Sequence, residues 1–297
     1  SIKDSKLVTA DSVVTANITA DAVTLAKMAP GTDGNIISYD ASGNPVAVAT
    51  GNDGQVLTSA GAGAPPAFED AAGGVTFKEG GGNFSNSLLV GTSGTGTLSA
   101  ADRNTGVGCQ VFAALTTGDD NTAIGRASLN GNTTGLCNTA VGSSALNVNT
   151  TGCFNTAVGT LALSANTTAA YNVAVGFCAL DTNTTGAENV AVGTRALFAN
   201  TTAGNNTAVG FNALCDNTTG AENTSVGWRS LFNNTTGSNH TAVGVNALFT
   251  NTTSSDNTVV GRCAAFTNTT GSCLVAMGNN ALRFNTTANA NVAIGRD

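Results

Sequence analysis

From Asn104 onward the chain repeats one phrase every seventeen residues without insertion or deletion. Copies start at Asn104, Asn121, Asn138, Asn155, Asn172, Asn189, Asn206, Asn223, His240, Asn257, Leu274 and Asn291. A degenerate earlier copy begins at Ser87. A fixed period of this size marks stacked structural units, each contacting only its neighbours. The array covers 87–297, so most of the chain is committed to a quasi-one-dimensional scaffold before any site is considered.

Within one copy, such as NTAVGSSALNVNTTGCF at 138–154, the columns differ in chemistry. Position five is Gly in all twelve copies, and position four is always Val, Ile or Met. Position nine is Leu in nine of eleven, position twelve is Asn in ten of eleven, and positions thirteen and fourteen are always Thr-Thr. NTAVG reads as a strand whose second and fourth residues share one face, with the small third residue on the other. Gly then permits a bend and NTTG supplies a second corner. The segment between them, SSALNV for example, is compatible with a short strand or a single helical turn. The expected rung is therefore built on Val141, Gly142, Leu146, Asn138, Asn149, Thr150 and Thr151.

The asparagine columns have a structural explanation, because identical amides stacked about 4.8 Å apart can hydrogen-bond along the stack. NTT also matches the glycosylation acceptor pattern, which matters only in a eukaryotic secretory pathway. Two large aliphatics per coil, Val141 and Leu146, are few against the entropy of ordering seventeen residues. A lone coil is thus marginal, and several chains are expected to share one core, with the alanine column facing a partner.

Upstream the chain is modular. Residues 1–30 hold ten-residue near-copies, TADSVVTANI and TADAVTLAKM, and read as a shaft or attachment segment. Residues 31–70 are a twenty-residue duplication in which Gly34, Ile36 and Pro45 correspond to Gly54, Val56 and Pro65, each copy a small hairpin. Residues 71–86 are Gly-rich and read as a joint.

NTAVGxxALxxNTTG resembles the head repeats of trimeric autotransporter adhesins, with NTT inserted before the second Gly. Phage and large-virus fibre proteins are similar across more of the chain: in them such arrays follow segments like ITADAVTLAKM and GTDGNIISYDASGNPVAVATGNDGQVLTS. The resemblance implies an all-β, elongated β-solenoid or β-roll with one helical turn per coil as a variant, assembled as an intertwined homotrimer with small β modules at the N-terminus. It implies a fibre on the surface of a virion, anchored to the particle or tail through its N-terminus and meeting a host surface glycan or protein. The alternative is a bacterial cell-surface trimeric adhesin. Many such fibres carry a C-terminal chaperone that is cut off; here the array stops inside its twelfth copy at NVAIGRD.

Composition narrows the chemistry. A formal charge of −7 with 11 Lys plus Arg gives no basic face for nucleic acid. No run of eighteen apolar residues is present, and SIKDSKLVTADS lacks the pattern of a signal peptide, so membrane insertion is not expected. Seven cysteines without CxxC spacing and one histidine make a metal site or cofactor unexpected. Cys137 and Cys153 are the one candidate disulfide, on adjacent coils.

Asp120, Glu188, Glu222 and Asp256 share position seventeen but stand at least two coils apart, an acidic edge and no catalytic pair. No enzymatic activity is expected. Recognition belongs to the variable columns, where Trp228, Arg229, Phe211 and Arg195 are candidate glycan contacts, with packing against a neighbouring chain as the other reading. Phe232, Phe249 and Phe266 occupy position ten on consecutive coils and form an expected aromatic ladder. The unbroken threonine columns also suit an ice-binding solenoid, although adjacent threonines on a strand would point to opposite sides.

Overall fold

The computed structural model describes residues 87–91 and 100–296 in full, with the backbone of strands at 36–39, 45–48, 55–58, 67–70, 77–79 and 84–85. The expected shaft at 1–30 and most of the joint at 71–86 lie outside the described residues. The chain divides into two compact units, 1–72 and 73–297. In the first, β1 (Ile36–Tyr39) pairs antiparallel with β2 (Pro45–Val48), and β3 (Gln55–Thr58) pairs antiparallel with β4 (Ala67–Asp70).

The second unit is a parallel β-solenoid of about twelve turns, with no helix among the described residues. It opens with β5 (Phe77–Glu79), β6 (Phe84–Ser85), β7 (Leu88–Val90), β8 (Ala101–Asp102) and β9 (Thr105–Val107). One strand per coil follows: β10 (Thr122–Ile124), β11 (Thr139–Val141), β12 (Thr156–Val158), β13 (Val173–Val175), β14 (Val190–Val192) and β15 (Thr207–Val209). The series continues as β16 (Thr224–Val226), β17 (Thr241–Val243), β18 (Thr258–Val260), β19 (Val275–Met277) and β20 (Val292–Ile294).

From β7 and β9 to β20 every neighbouring pair is parallel and in register at a spacing of seventeen, as in Thr139↔Thr156, Ala140↔Ala157 and Val141↔Val158. At the other edge β5 pairs antiparallel with β7 and closes the ladder there. Twelve strands at about 4.8 Å make a sheet roughly 55 Å long.

The alternation along each strand is as expected, but its sense is reversed. The alanine column, read from sequence as facing a partner, lies inside its own coil: Ala123, Ala140, Ala157, Ala174, Ala191 and Ala208 are fully buried. The aliphatic column of position four points outward, so Val141 is half-exposed while Ile124 and Met277 are exposed. The cause is the width of the coil. A typical interior holds two buried asparagines, two alanines and one leucine, as in Asn138, Asn149, Ala140, Ala145 and Leu146, which leaves little space at position three: the β-branched Val259 is buried there in the coil whose position nine is Ala265 in place of leucine.

The segment after the glycine is neither strand nor helix. Ala145 and Leu146 are sequence neighbours and both are fully buried, which the alternation of a strand forbids. Left-handed residues at positions seven and nine make it possible: φ is +57° at Ser144 and +49° at Leu146, and leucines at position nine repeat this from Leu129 to Leu282. A left-handed leucine costs roughly 1–2 kcal/mol, offset by burial of its side chain, which contributes about 2 kcal/mol. Tight turns on either side, Ala145 N–H to the Gly142 carbonyl and Asn149 N–H to the Leu146 carbonyl, alternate with bonds to adjacent coils.

The position-five glycines are required by the backbone itself. Gly227 has φ +132°, and a Cβ there would stand 2.6 Å from the carbonyl oxygen of Gly244 on the next coil. Gly227→Ala should therefore lower the unfolding free energy by about 3 kcal/mol, seen as a reduced midpoint in urea denaturation; an unchanged midpoint would contradict this backbone requirement.

Candidate functional site

The inward polar groups are the most organised chemistry in the molecule, and they act on one another. In the first-position column Asn138 Nδ2 donates to Asn121 Oδ1 (3.1 Å) on the previous coil and to the Gly152 carbonyl (2.8 Å) of its own coil. Its Oδ1 accepts from both the backbone N–H and Nδ2 of Asn155. In the twelfth-position column Asn149 Nδ2 donates to Asn132 Oδ1 (2.8 Å) and to the same Gly152 carbonyl (2.9 Å). Two amides thus converge on one carbonyl in each such coil. The second ladder runs unbroken from Asn132 to Asn285. From Asn132 to Asn268 these amides are buried and satisfied, so the NTT sequences there present no accessible acceptor nitrogen.

The threonine pair is divided in role. The Thr150 hydroxyl donates to the Thr167 carbonyl (3.0 Å), and the same bond recurs along position thirteen. Thr151 and its column at position fourteen stand exposed. Gly142, with φ +140°, forms the bend after the strand.

The ladder has two substitutions in its first column. Leu274 is buried where an amide would stand. His240 is buried too, and its Nδ1 accepts from the Asn257 N–H (3.3 Å), which places the ring proton on Nε2, facing the Ser254 carbonyl at 2.8 Å. Burial pushes His240 down to about 4, against smaller upward influences from the Ser254 carbonyl and the Asp256 carboxylate. Protonation would put a hydrogen on Nδ1 against the Asn257 N–H.

The aromatic and cationic residues form two groups. Phe232, Phe249 and Phe266 stack at 5.5 and 5.1 Å between centroids and are half-buried. The Arg229 guanidinium carbon lies 4.5 Å from the Phe232 centroid, 4.6 Å from Phe249 and 5.2 Å from Trp228, and its Nε is buried without a hydrogen-bond partner. Arg195 sits 4.4 Å over Phe198. Both arginines are thus held on their own chain's rings, whereas Trp228 and Phe211 remain exposed.

A second exposed group was not singled out in the sequence. Phe154 and Tyr171 occupy position seventeen on consecutive coils, 47% and 59% exposed, and stack 5.1 Å apart with rings 1° from parallel. The register alone could have found them, since they are seventeen apart.

Cys137 and Cys153 are free thiols, which corrects the disulfide reading. They are sixteen residues apart, so they fall in adjacent columns, and Cys153 Sγ instead accepts from the Leu136 N–H (3.4 Å). Desolvation raises Cys215 to about 12, leaving it protonated and unreactive at neutral pH. On the acidic edge Asp120 is held ionised by its hydrogen bonds to Arg103, at 2.6 and 2.9 Å, and Asp256 accepts from Asn239 Nδ2 (3.0 Å). Among the described residues no cluster of His, Cys, Asp and Glu has metal-binding geometry, and no helix is long and apolar enough to cross a membrane. Compared with protein-family models, curated proteins and solved structures, the chain finds no match.

Two outcomes follow from the buried ladder. Asn200 donates to Asn183 Oδ1 and the Ala203 carbonyl and accepts from Asn217, so Asn200→Ala takes the donor from Asn183 Oδ1 and one bond each from the Ala203 carbonyl and the Asn217 amide, and should cost about 2–4 kcal/mol by chemical denaturation. For His240 the folded value lies below the unfolded 6.5. The unfolded chain therefore takes up a proton first, and stability falls as pH drops from about 6.5 toward 4, by up to about 3 kcal/mol. Urea midpoints between pH 7.5 and 4.5 should show this slope, and His240→Asn should flatten it; an equal slope in both proteins would remove His240 as its source.

Proposed function

We propose that this chain is a non-enzymatic structural fibre projecting from a viral or phage particle, assembled as a homotrimer and mediating attachment to host surface structures. The observation that carries the reading is the allocation of chemistry in the coil: its inward asparagines are bonded to one another, and the most variable column, position seventeen, lies outside. Such a scaffold supplies length and a repeating surface. A bacterial surface adhesin of the same architecture is the alternative, and localisation of the protein to virions or to cell envelopes separates the two.

Within this reading Phe154 and Tyr171 form an exposed aromatic platform suited to the apolar face of a sugar ring. Thr151 and Thr168, in the position-fourteen column of the same coils, are exposed as well. That column also keeps the ice-binding reading in view, as a single line of hydroxyls about 4.8 Å apart; measurable thermal hysteresis would favour it over attachment.

The deciding experiment presents the full chain to a glycan array and to host cells. Binding that falls at least tenfold in Tyr171→Ala, with unchanged circular dichroism, is the expected result. Absence of binding to any host surface material would overturn the attachment role.

A further inference from the structure

The strand face that points away from the coil interior forms a continuous surface along β9–β20. Across β9–β20, position two is Thr in eight coils and Val in four, and position four is Val in nine, Ile in two and Met in one. None of these twenty-four residues carries a charge and none is buried. Val107, Ile124, Val158 and Met277 are 36–41% exposed, well above what a strand packed inside one chain would show. Beside this strip, just past the glycine bend, position six places Phe177, Phe211, Trp228 and Val245 at 40–51% exposure, with Arg126 and Arg262 in the same column to either side. An aromatic and aliphatic centre with arginines toward its rim is the composition of an interface.

We infer that this face, formed by positions two, four and six of the coils, is where copies of the chain pack on one another. The inference rests on the fibre reading and changes its geometry, because the alanine column expected to meet a partner is already used inside each coil. Three features select a second copy as the occupant. The strip is corrugated at one rung per coil, about 4.8 Å, and only a partner with the same period can match it along roughly 55 Å. Its residues at positions two and four carry no charge, so the strip itself offers nothing to a basic or acidic partner, while its β-branched and Thr methyl groups suit close apolar packing.

Area points the same way. A strip about 55 Å long and roughly 12 Å wide covers about 650 Å² per copy, or near 1,300 Å² in all, which is at the lower end of stable protein interfaces. A small partner meeting a few rungs would leave most of an apolar patch of this size in water. Trp228, the only tryptophan in the chain, lies beside the middle of the strip and supplies the expected anchor.

The test uses the whole chain in sedimentation velocity and Trp228 fluorescence. Wild type should sediment as an oligomer with Trp228 shielded from iodide quenching. Val158→Lys with Val192→Lys and Val226→Lys places charges two coils apart on the face; it should give monomers with unchanged circular dichroism and a quenchable Trp228. Thr168→Lys with Thr202→Lys and Thr236→Lys, on the exposed position-fourteen column, should stay assembled. Should the valine triple lose its circular dichroism, dilution of wild type decides: Trp228 quenching that rises in step with dissociation supports the face, and quenching that does not change overturns it. A monomeric wild type overturns the inference, as does a valine triple that remains folded and assembled, and the latter leaves the fibre reading standing. An oligomer split by the valine triple that nevertheless binds no host material supports the face and removes the attachment role instead.

Discussion

The solenoid depends on a hydrogen-bonding rule enforced inside each coil. A buried amide must satisfy two donors and an acceptor. Here two of them share one backbone carbonyl, that of Gly152 in the coil of Asn138 and Asn149, while the remaining donor and the oxygen of each go to adjacent coils. The arrangement works only if each amide lies directly above its copy. One extra residue anywhere in a coil would shift the amides out of line and leave several unpartnered in a dry interior, at roughly 1–3 kcal/mol apiece. The absence of insertions in the sequence is thus a consequence of the ladder.

The same rule limits what else fits. Asparagines occupying two inward columns leave room for little beyond two alanines and a leucine, and the leucine is reached only by turning its backbone left-handed. Position fifteen stays small for a related reason: a Cβ on Gly220 would stand 2.5 Å from the Asn217 amide oxygen. Alanine at Ala169 and Ala203 is the largest hydrocarbon this column takes among the described coils. Ser254 is the exception, and it occupies the coil whose first column holds His240, where its hydroxyl accepts from Asn257 Nδ2 at 2.9 Å. The two departures from the pattern accompany one another, a local repacking around a ring in place of an amide.

Much of this was legible in the sequence, with instructive gaps. The period, the strand at NTAVG and the stacking of Asn138 and Asn149 follow from spacing and from the chemistry of amides. The sense of the strand did not. Alternation separates Ala140 from Val141 but does not say which faces inward, and the usual rule that the larger aliphatic is buried fails in a coil whose interior is already filled by two asparagines and a leucine; Val259 is buried where Ala265 replaces that leucine. The Ala145–Leu146 pair was illegible for another reason: no propensity argument places a leucine at positive φ, and only the combined demand of two inward neighbours explains it. Phe154 and Tyr171 were within reach of the register. Cys137 and Cys153 were as well, since a separation of sixteen in a period of seventeen sets them one column apart.

Variability along a column then separates kinds of surface. An inward column stays within a narrow set because each member must match its neighbours in its own chain. Positions two and four point outward and are uniform all the same, holding only Thr or Val and Val, Ile or Met over twelve coils. The stacked strands themselves favour β-branched residues there, but that preference alone does not exclude an occasional Lys, Glu or Ser, and none occurs at these twenty-four positions. Uniformity this complete, beyond what strand propensity asks, fits an external constraint that repeats with the same period, which is what a second copy provides. Position seventeen, free of both constraints, is where neighbouring coils can differ, and it is there that Phe154 and Tyr171 build a local feature on an otherwise periodic rod.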